Sequence, residues 1–201
     1  MKQKIVEIAM NGAGTRDTGR VLKISPNTVT AVLKNGEFCK AGKGRVPEKP
    51  GKNTRVDIEI RPSIGAERDE MWSYYRDKSH QIWLWWAVDH ATNIPLAFTF
   101  GTREHKYLDE LLELLSPFSI GTVYADNNFA YQNKLSADIL VTGKKNTQQI
   151  EQEHLTLRTR IKRLCRKTIC FSKCEEIHKA VVGTFINIFF FGRSFDCSTI
   201  L

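Results

Sequence analysis

No apolar run in this 201-residue sequence approaches the ~20 residues that a membrane-spanning helix needs. The densest apolar cluster, at 185–191, is far too short. The opening Met-Lys-Gln-Lys runs into an amphipathic stretch and lacks the apolar block of a secretion signal. These absences argue against a membrane partner and predict a cytosolic protein. Cysteine is also scarce. Cys39, Cys165, Cys170, Cys174 and Cys197 make an odd, unevenly spaced set with no Cys-x-x-Cys pair. That excludes a disulfide framework and predicts free thiols in a reducing compartment. Cys170, Cys174 and His178 recur every fourth residue and could share a face, but zinc sites rarely have this form.

What the sequence does contain is charge, unevenly placed. The formal net charge is +8. Residues 1–64 carry a net +7, residues 65–140 a net −5 and residues 141–201 a net +6. Basic flanks draw a polyanion through phosphate contacts and counterion release. An acidic middle between them requires cations, and divalent metal is the natural candidate. The plainer alternative is that basic termini only confer solubility.

The periodicity predicts a small all-α domain over residues 1–36. Ile5, Val6, Ile8, Ala9 and Met10 form one apolar helical face, which 11–14 breaks. Thr15 is placed to cap a helix over 16–22. Ser25-Pro26 gives an N-cap followed by proline at the first helical position of a helix ending near Asn35. Two short helices with a tight turn have the proportions of a helix-turn-helix. Val29, Val32 and Leu33 would face inward, leaving Asn27, Thr28, Thr30 and Lys34 outward for bases and phosphates of double-stranded DNA. A three-helix bundle with no DNA role fits the same pattern. Residues 37–64, rich in Lys, Arg, Gly and Pro, read as a basic linker that either tracks phosphates or is a solvated tether.

From residue 65 the period switches to strands. Alternation around Met71, Ser73 and Tyr75, the run 82–88 ending at Asp89, and 94–100 predict an antiparallel meander. Tyr107, Leu108, Leu111, Leu112 and Leu115 mark a helix that Pro117 ends. A strand at 122–125, a short helical segment near 129–135 and a strand at 139–141 follow. A long helix from about Asn146 carries a buried stripe of Ile150, Leu157, Ile161 and Leu164. Ser172 and Glu175 have capping-box spacing for a final helix with Ile177, Val181, Phe185 and Ile188 on its apolar face. The predicted class is α/β: a ribonuclease-H-like mixed sheet over 65–190, three antiparallel strands and then parallel ones, with helices. Residues 191–201 form an atypical tail.

Three acids stand at telling positions on these elements: Asp69 early in the first strand, Asp126 at the exit of Thr122-Val-Tyr-Ala, and Glu151 near the start of the long helix. They are read here as one metal site. Phosphodiester chemistry with magnesium needs carboxylates that hold two ions ~3.5–4 Å apart. Each acid has a plainer reading: Asp69 in a salt-bridged strand edge, Asp126 as a helix cap, Glu151 as a first-turn acid favoured by the helix dipole. Asp89, Glu153 and Glu70 remain candidates to replace or supplement them. Leu155, Arg158 and Lys162 follow Glu151 at four, seven and eleven, a face that turns basic as if to carry DNA away from the site. Arg160, Arg163, Arg166 and Lys167 thicken that zone, which is otherwise a solvated charged face.

These residues resemble transposases of the insertion sequence 1 family over almost the whole chain. The likeness lies in Ile8-Ala-Met-Asn-Gly12, Arg20-Val-Leu22, Asn27-Thr28-Val29, Asp69-Glu70-x-Trp72 and Phe100-Gly101-Thr-Arg-Glu104. It continues in Leu114-Leu-Ser-Pro-Phe118, the Asp126 strand, Gln149-Ile-Glu151, His154-Leu-x-Leu-Arg158, Arg166-Lys167 and Phe171-Ser-Lys173. The resemblance implies a DDE-type transposase that binds the inverted-repeat ends of a mobile element as a homo-oligomer. It implies a catalytic triad of Asp69, Asp126 and Glu151 holding two Mg2+ or Mn2+ ions. The implied reaction is nicking by activated water at the element end, then attack of the freed 3′-hydroxyl on target DNA. Arg158 and Lys162 would contact phosphates. Family members carry a Cys-pair zinc finger ahead of the helix-turn-helix, whereas this sequence begins after that point, and 191–201 is unlike the family's ending. The rival expectations are a nuclease on the same fold and an inactive element product that binds ends and represses transposition.

Overall fold

Three helices open the chain, α1 (Lys2–Met10), α2 (Thr15–Leu22) and α3 (Pro26–Asn35), in a computed structural model that describes residues 1–35, 65–118, 120–125, 139–143 and 147–191. Ile5, Val6 and Ala9 are buried along α1, as the apolar spacing requires. The break that follows places Gly12 at φ +84°, a region that favours glycine, and a Cβ there would lie 3.0 Å from the Cβ of Cys170. The N-cap of α2 is Gly14, not Thr15, which is the first helical residue. At α3 the Ser25 hydroxyl accepts the Asn27 N–H at 3.2 Å, with Pro26 at the first helical position. Val29 and Leu33 are buried and Val32 is half-buried, so the predicted inward face holds.

Five strands follow, β1 (Gly65–Tyr74), β2 (Gln81–Asp89), β3 (Pro95–Gly101), β4 (Thr122–Ala125) and β5 (Leu140–Thr142), in one sheet of order β3-β2-β1-β4-β5. The chain reverses over residues 75–80, where the Tyr75 N–H donates to the His80 carbonyl at 3.1 Å. β2 and β3 pair antiparallel, while β1 with β4 and β4 with β5 pair parallel. The class is the predicted ribonuclease-H-like mixed sheet. β1 lies at its centre, so the strand-edge reading of its charges is overturned: Glu67 and Arg68 are 1% and 2% exposed.

Three more helices complete the described chain: α4 (His105–Leu115), α5 (Gln148–Arg160) and α6 (Glu175–Phe189). α4 ends in a 3-10 turn over Ser116–Phe118, which holds the expected stop at Pro117. Two sequence expectations are corrected. α5 stops at Arg160, because Ile161 takes extended backbone (φ −108°, ψ 102°) ahead of a 3-10 turn over Lys162–Leu164. Ile161 and Leu164 are buried but do not continue the helix. Ser172 does not cap α6, whose N-cap is Cys174 with no side-chain cap bond. Its hydroxyl serves His178 and Arg163 instead. Among the described residues no helix is long and apolar enough to cross a membrane. The expectations for 36–64, for Asp126, for the helical segment at 129–135 and for 192–201 lie outside the described residues.

The described residues fall into two compact units, one drawn from Met1–Ala41, Trp72–Ile82 and Glu153–Leu201, the other from Gly42–Met71 and Trp83–Gln152. In the first, α1 and α3 pack on α6, which buries Val181, Phe185 and Ile186, each contributing about 2 kcal/mol by transfer from water. Arg163 donates to the carbonyls of Ala9 and Ala13, both at 3.1 Å, and so closes the C-terminal end of α1. In the second unit α4 lies against β3, over a core that includes Ala66, Trp85, Ala87, Leu108, Leu111 and Ala125.

Candidate active site

β1 carries four charged residues in succession, Glu67, Arg68, Asp69 and Glu70. Successive strand residues point to opposite faces, so Glu67 and Asp69 share one face and Glu70 takes the other. Asp69 is half-buried, and its Oδ1 accepts the Glu70 N–H at 2.8 Å. The parallel register between β1 and β4 runs from Gly65↔Thr122 to Arg68↔Ala125. The last pair immediately precedes Asp69 on one strand and position 126 on the other.

Glu67 is the residue the sequence reading missed. Its Oε1 lies 2.7 Å from Nδ1 of His90, which donates to it, and its Oε2 accepts the Ile150 N–H at 3.1 Å. Ile150 is the third residue of α5, one of the first-turn residues whose N–H has no partner within the helix. The first internal bond there runs from the Glu151 N–H to the Thr147 carbonyl at 3.2 Å. A carboxylate from β1 thus caps α5 at the positive end of its dipole. Glu151 is the next residue after Ile150 and is exposed in the first turn. His90 is itself fastened: its N–H donates to the Gly65 carbonyl at 2.8 Å, and its ring lies 4.3 Å from that of Tyr124. The structure therefore joins the strand of Asp69 to the helix start of Glu151 through one hydrogen bond. The only sequence signal for Glu67 was its position two residues before Asp69, on the same face.

The other acids that the sequence left open are placed elsewhere. Asp89 closes the turn after β2, its Oδ2 accepting the N–H and hydroxyl of Thr92 at 2.8 and 2.6 Å. Glu153 follows Glu151 by two residues on α5, which turns it to another side of the helix. Glu70 faces away from Asp69.

The predicted DNA contacts divide. Asn27, Thr28 and Lys34 are exposed on α3. Thr30 is half-buried and donates its hydroxyl to the Pro26 carbonyl at 3.0 Å. Arg158 is half-buried on α5, seven residues or two turns after Glu151 and on the same side. Lys162 is exposed but lies on the 3-10 turn, so the helical face that was to include it ends with Arg158. Arg163 is turned inward onto backbone carbonyls and cannot belong to a basic surface zone. Arg160 sits over the Phe189 ring at 5.5 Å. Nor do Cys170, Cys174 and His178 form a metal site: Cys174 Sγ donates to Glu176 at 2.5 Å, and His178 is buried between Ser73 and Ser172. Among the described residues no three His, Cys, Asp or Glu side chains gather as a metal site.

Residues 63–192 match the family model described as IS1 transposase, and residues 1–37 match the InsA C-terminal domain. The chain is 51% identical over 121 residues to the insertion element iso-IS1n protein InsB of Shigella dysenteriae, covering 60% of this chain and 92% of that protein. It is 40% identical over 125 residues to the insertion element IS1 protein InsB of Shigella sonnei, covering 62% and 95%. The IS1 9 protein InsB of Escherichia coli strain K12 matches at 40% over 125 residues, covering 62% and 75%. A solved catalytic core domain of BIV integrase overlies 63% of this chain and 83% of its own at 14% identity, with a TM-score of 0.41.

Proposed function

This chain belongs to the IS1 transposase family, and from that membership we propose that it binds the inverted-repeat ends of an insertion sequence and carries out strand nicking and strand transfer. Asp69, Asp126 and Glu151 are the catalytic carboxylates of this proposal. The observation that carries it is the bond from Glu67 to the Ile150 N–H, which brings the start of the Glu151 helix to the face of β1 that Asp69 occupies. The β1/β4 register, ending beside Asp69 and position 126, supports the same convergence.

The donor set consists of carboxylate oxygens, hard ligands on three separate elements, which fits Mg2+ or Mn2+. Asp69, Asp126 and Glu151 would hold two such ions, which supply Lewis-acid activation of the attacking and leaving oxygens. In the first step a water oxygen bonds to phosphorus, the P–O3′ bond breaks, and the 3′-oxygen takes up a proton. In the second, that 3′-hydroxyl loses its proton as its oxygen bonds to a target phosphorus, and the target's own 3′-oxygen leaves and takes up a proton. Asn27, Thr28, Thr30 and Lys34 read and hold element-end DNA, while Arg158 and Lys162 contact phosphates. Joining two ends requires more than one copy of the chain, so a homo-oligomer in the bacterial cytosol, on the nucleoid, completes the proposal.

The test is incubation of the protein with an element-end duplex and Mg2+ or Mn2+. Nicking that depends on the ion and falls to background in Asp126→Ala supports the proposal. Tight binding of ends without nicking would replace it with a repressor of transposition.

A further inference from the structure

A carboxylate 1% exposed on the central strand of a sheet is costly, since an ionised group loses several kcal/mol of hydration unless it is fully hydrogen-bonded. Valine would suit the strand and bury without that cost. What valine could not do is accept N–H bonds from two other elements, and Glu67 uses one oxygen for each. One partner, Ile150, adjoins Glu151. The other, His90, rests its ring on Tyr124, which is the β4 register partner of Glu67 and stands two residues before Asp126. Glu67 itself stands two residues before Asp69. The two described elements that bear a proposed catalytic acid, β1 and α5, are therefore tied together by this one side chain, and its second partner touches β4.

We infer that Glu67 is a positioning residue of the transposase site: its carboxylate fixes where the helix bearing Glu151 begins relative to the strand bearing Asp69, with His90 holding its second oxygen. The inference rests on the reading of Asp69, Asp126 and Glu151 as the catalytic acids. Glu67 is assigned the positioning role because each of its oxygens serves an N–H donor from another part of the chain. Its effect comes through geometry, where a misplacement of ~1 Å costs on the order of 100-fold in rate.

The experiment compares wild type, Glu67→Gln, Glu67→Ala and His90→Phe in Mg2+-dependent nicking of an element-end duplex. Folding is checked by thermal unfolding, and exchange of the Ile150 amide is followed by NMR. Glu67→Gln keeps an acceptor for the Ile150 N–H and should stay within about fivefold of wild-type kcat, whereas Glu67→Ala should lose about 10–100-fold in kcat with KM for the duplex unchanged. The Ile150 amide should exchange faster in Glu67→Ala and at the wild-type rate in Glu67→Gln. His90→Phe keeps a ring against Tyr124 but frees Oε1, and should lose about 3–10-fold in kcat, which retains a test should Glu67→Ala fail to fold. Wild-type kcat in Glu67→Ala or, where that variant does not fold, in His90→Phe would overturn the inference. So would a Glu67→Gln defect as deep as that of Glu67→Ala, or a change confined to KM. If wild type does not nick, or Asp126→Ala nicks as wild type does, the site assignment itself falls, an outcome distinct from an inert Glu67 substitution in an active enzyme.

Discussion

His178 shows how much a single side chain is constrained by its neighbours. Ser73 donates its hydroxyl to the Ile82 carbonyl at 2.9 Å, so its oxygen must accept from His178 Nε2, 3.0 Å away. That leaves Nδ1 to accept from the Ser172 hydroxyl at 2.9 Å, whose oxygen in turn receives Arg163 Nη1 at 3.3 Å. The ring is neutral, and burial with the nearby charges of Arg163 and Lys179 pushes its pKa down to about 3. His154 is likewise pushed down to about 3 by burial and by Arg158. Below the ordinary histidine value near 6.5 the unfolded chain takes up protons that the folded chain refuses, so stability is full above that pH and falls toward pH 3. We predict a loss of about 2 kcal/mol per histidine between neutral pH and pH 5, read as a lowered urea midpoint. His154→Leu should halve that pH dependence. Arg163 makes a second prediction. Arg163→Met removes two backbone carbonyl bonds and one to Ser172 while keeping the stem packed, and should cost about 3 kcal/mol in the same urea experiment.

At the scale of elements, the junction of β3 with α4 leaves no room for a side chain at Gly101, where a Cβ would fall 2.2 Å from the Tyr107 ring. Gly101→Ala should therefore displace that ring and cost about 1–3 kcal/mol, seen as a lower melting temperature. Most elements were legible in the sequence, because helices with a single apolar stripe and strands bounded by turn residues carry their own signal. Where the reading failed, a partner outside the local pattern had intervened. The apolar spacing of Ile161 and Leu164 continues that of α5, but the backbone opens at Ile161 and Cys165 Sγ donates to the Arg158 carbonyl at 2.9 Å. Ser172 and Glu175 have the spacing of a capping box, yet the hydroxyl is claimed by His178 and Arg163. Glu67 was read as part of a charged strand edge because its partners lie 23 and 83 positions away, beyond the reach of any local pattern. The strand of Asp69 and the helix start of Glu151 were legible for the opposite reason: the local pattern itself defines both elements.

For the whole molecule, the distribution of charge governs how it meets DNA. A chain of net charge +8 with basic flanks binds phosphates by releasing counterions, so affinity for end duplex should fall steeply with salt. Lys34→Ala should weaken binding equally for all sequences and reduce the slope of log K against log salt by about 0.9. Asn27→Ala should instead relax discrimination at one base pair, by about 1–3 kcal/mol, with little change in slope. Fluorescence anisotropy over a salt series separates the two. Within this charge pattern lies the site we propose, in which Asp69, Asp126 and Glu151 would share one pair of ions. The most direct measurement is to load the protein with Fe2+ in place of Mg2+, add ascorbate and peroxide, and map where the backbone is cut. Cleavage near residues 69, 126 and 151, suppressed by excess Mg2+ and absent in Asp69→Ala, is the predicted result. Cleavage elsewhere, or cleavage that persists unchanged in Asp69→Ala, would contradict it.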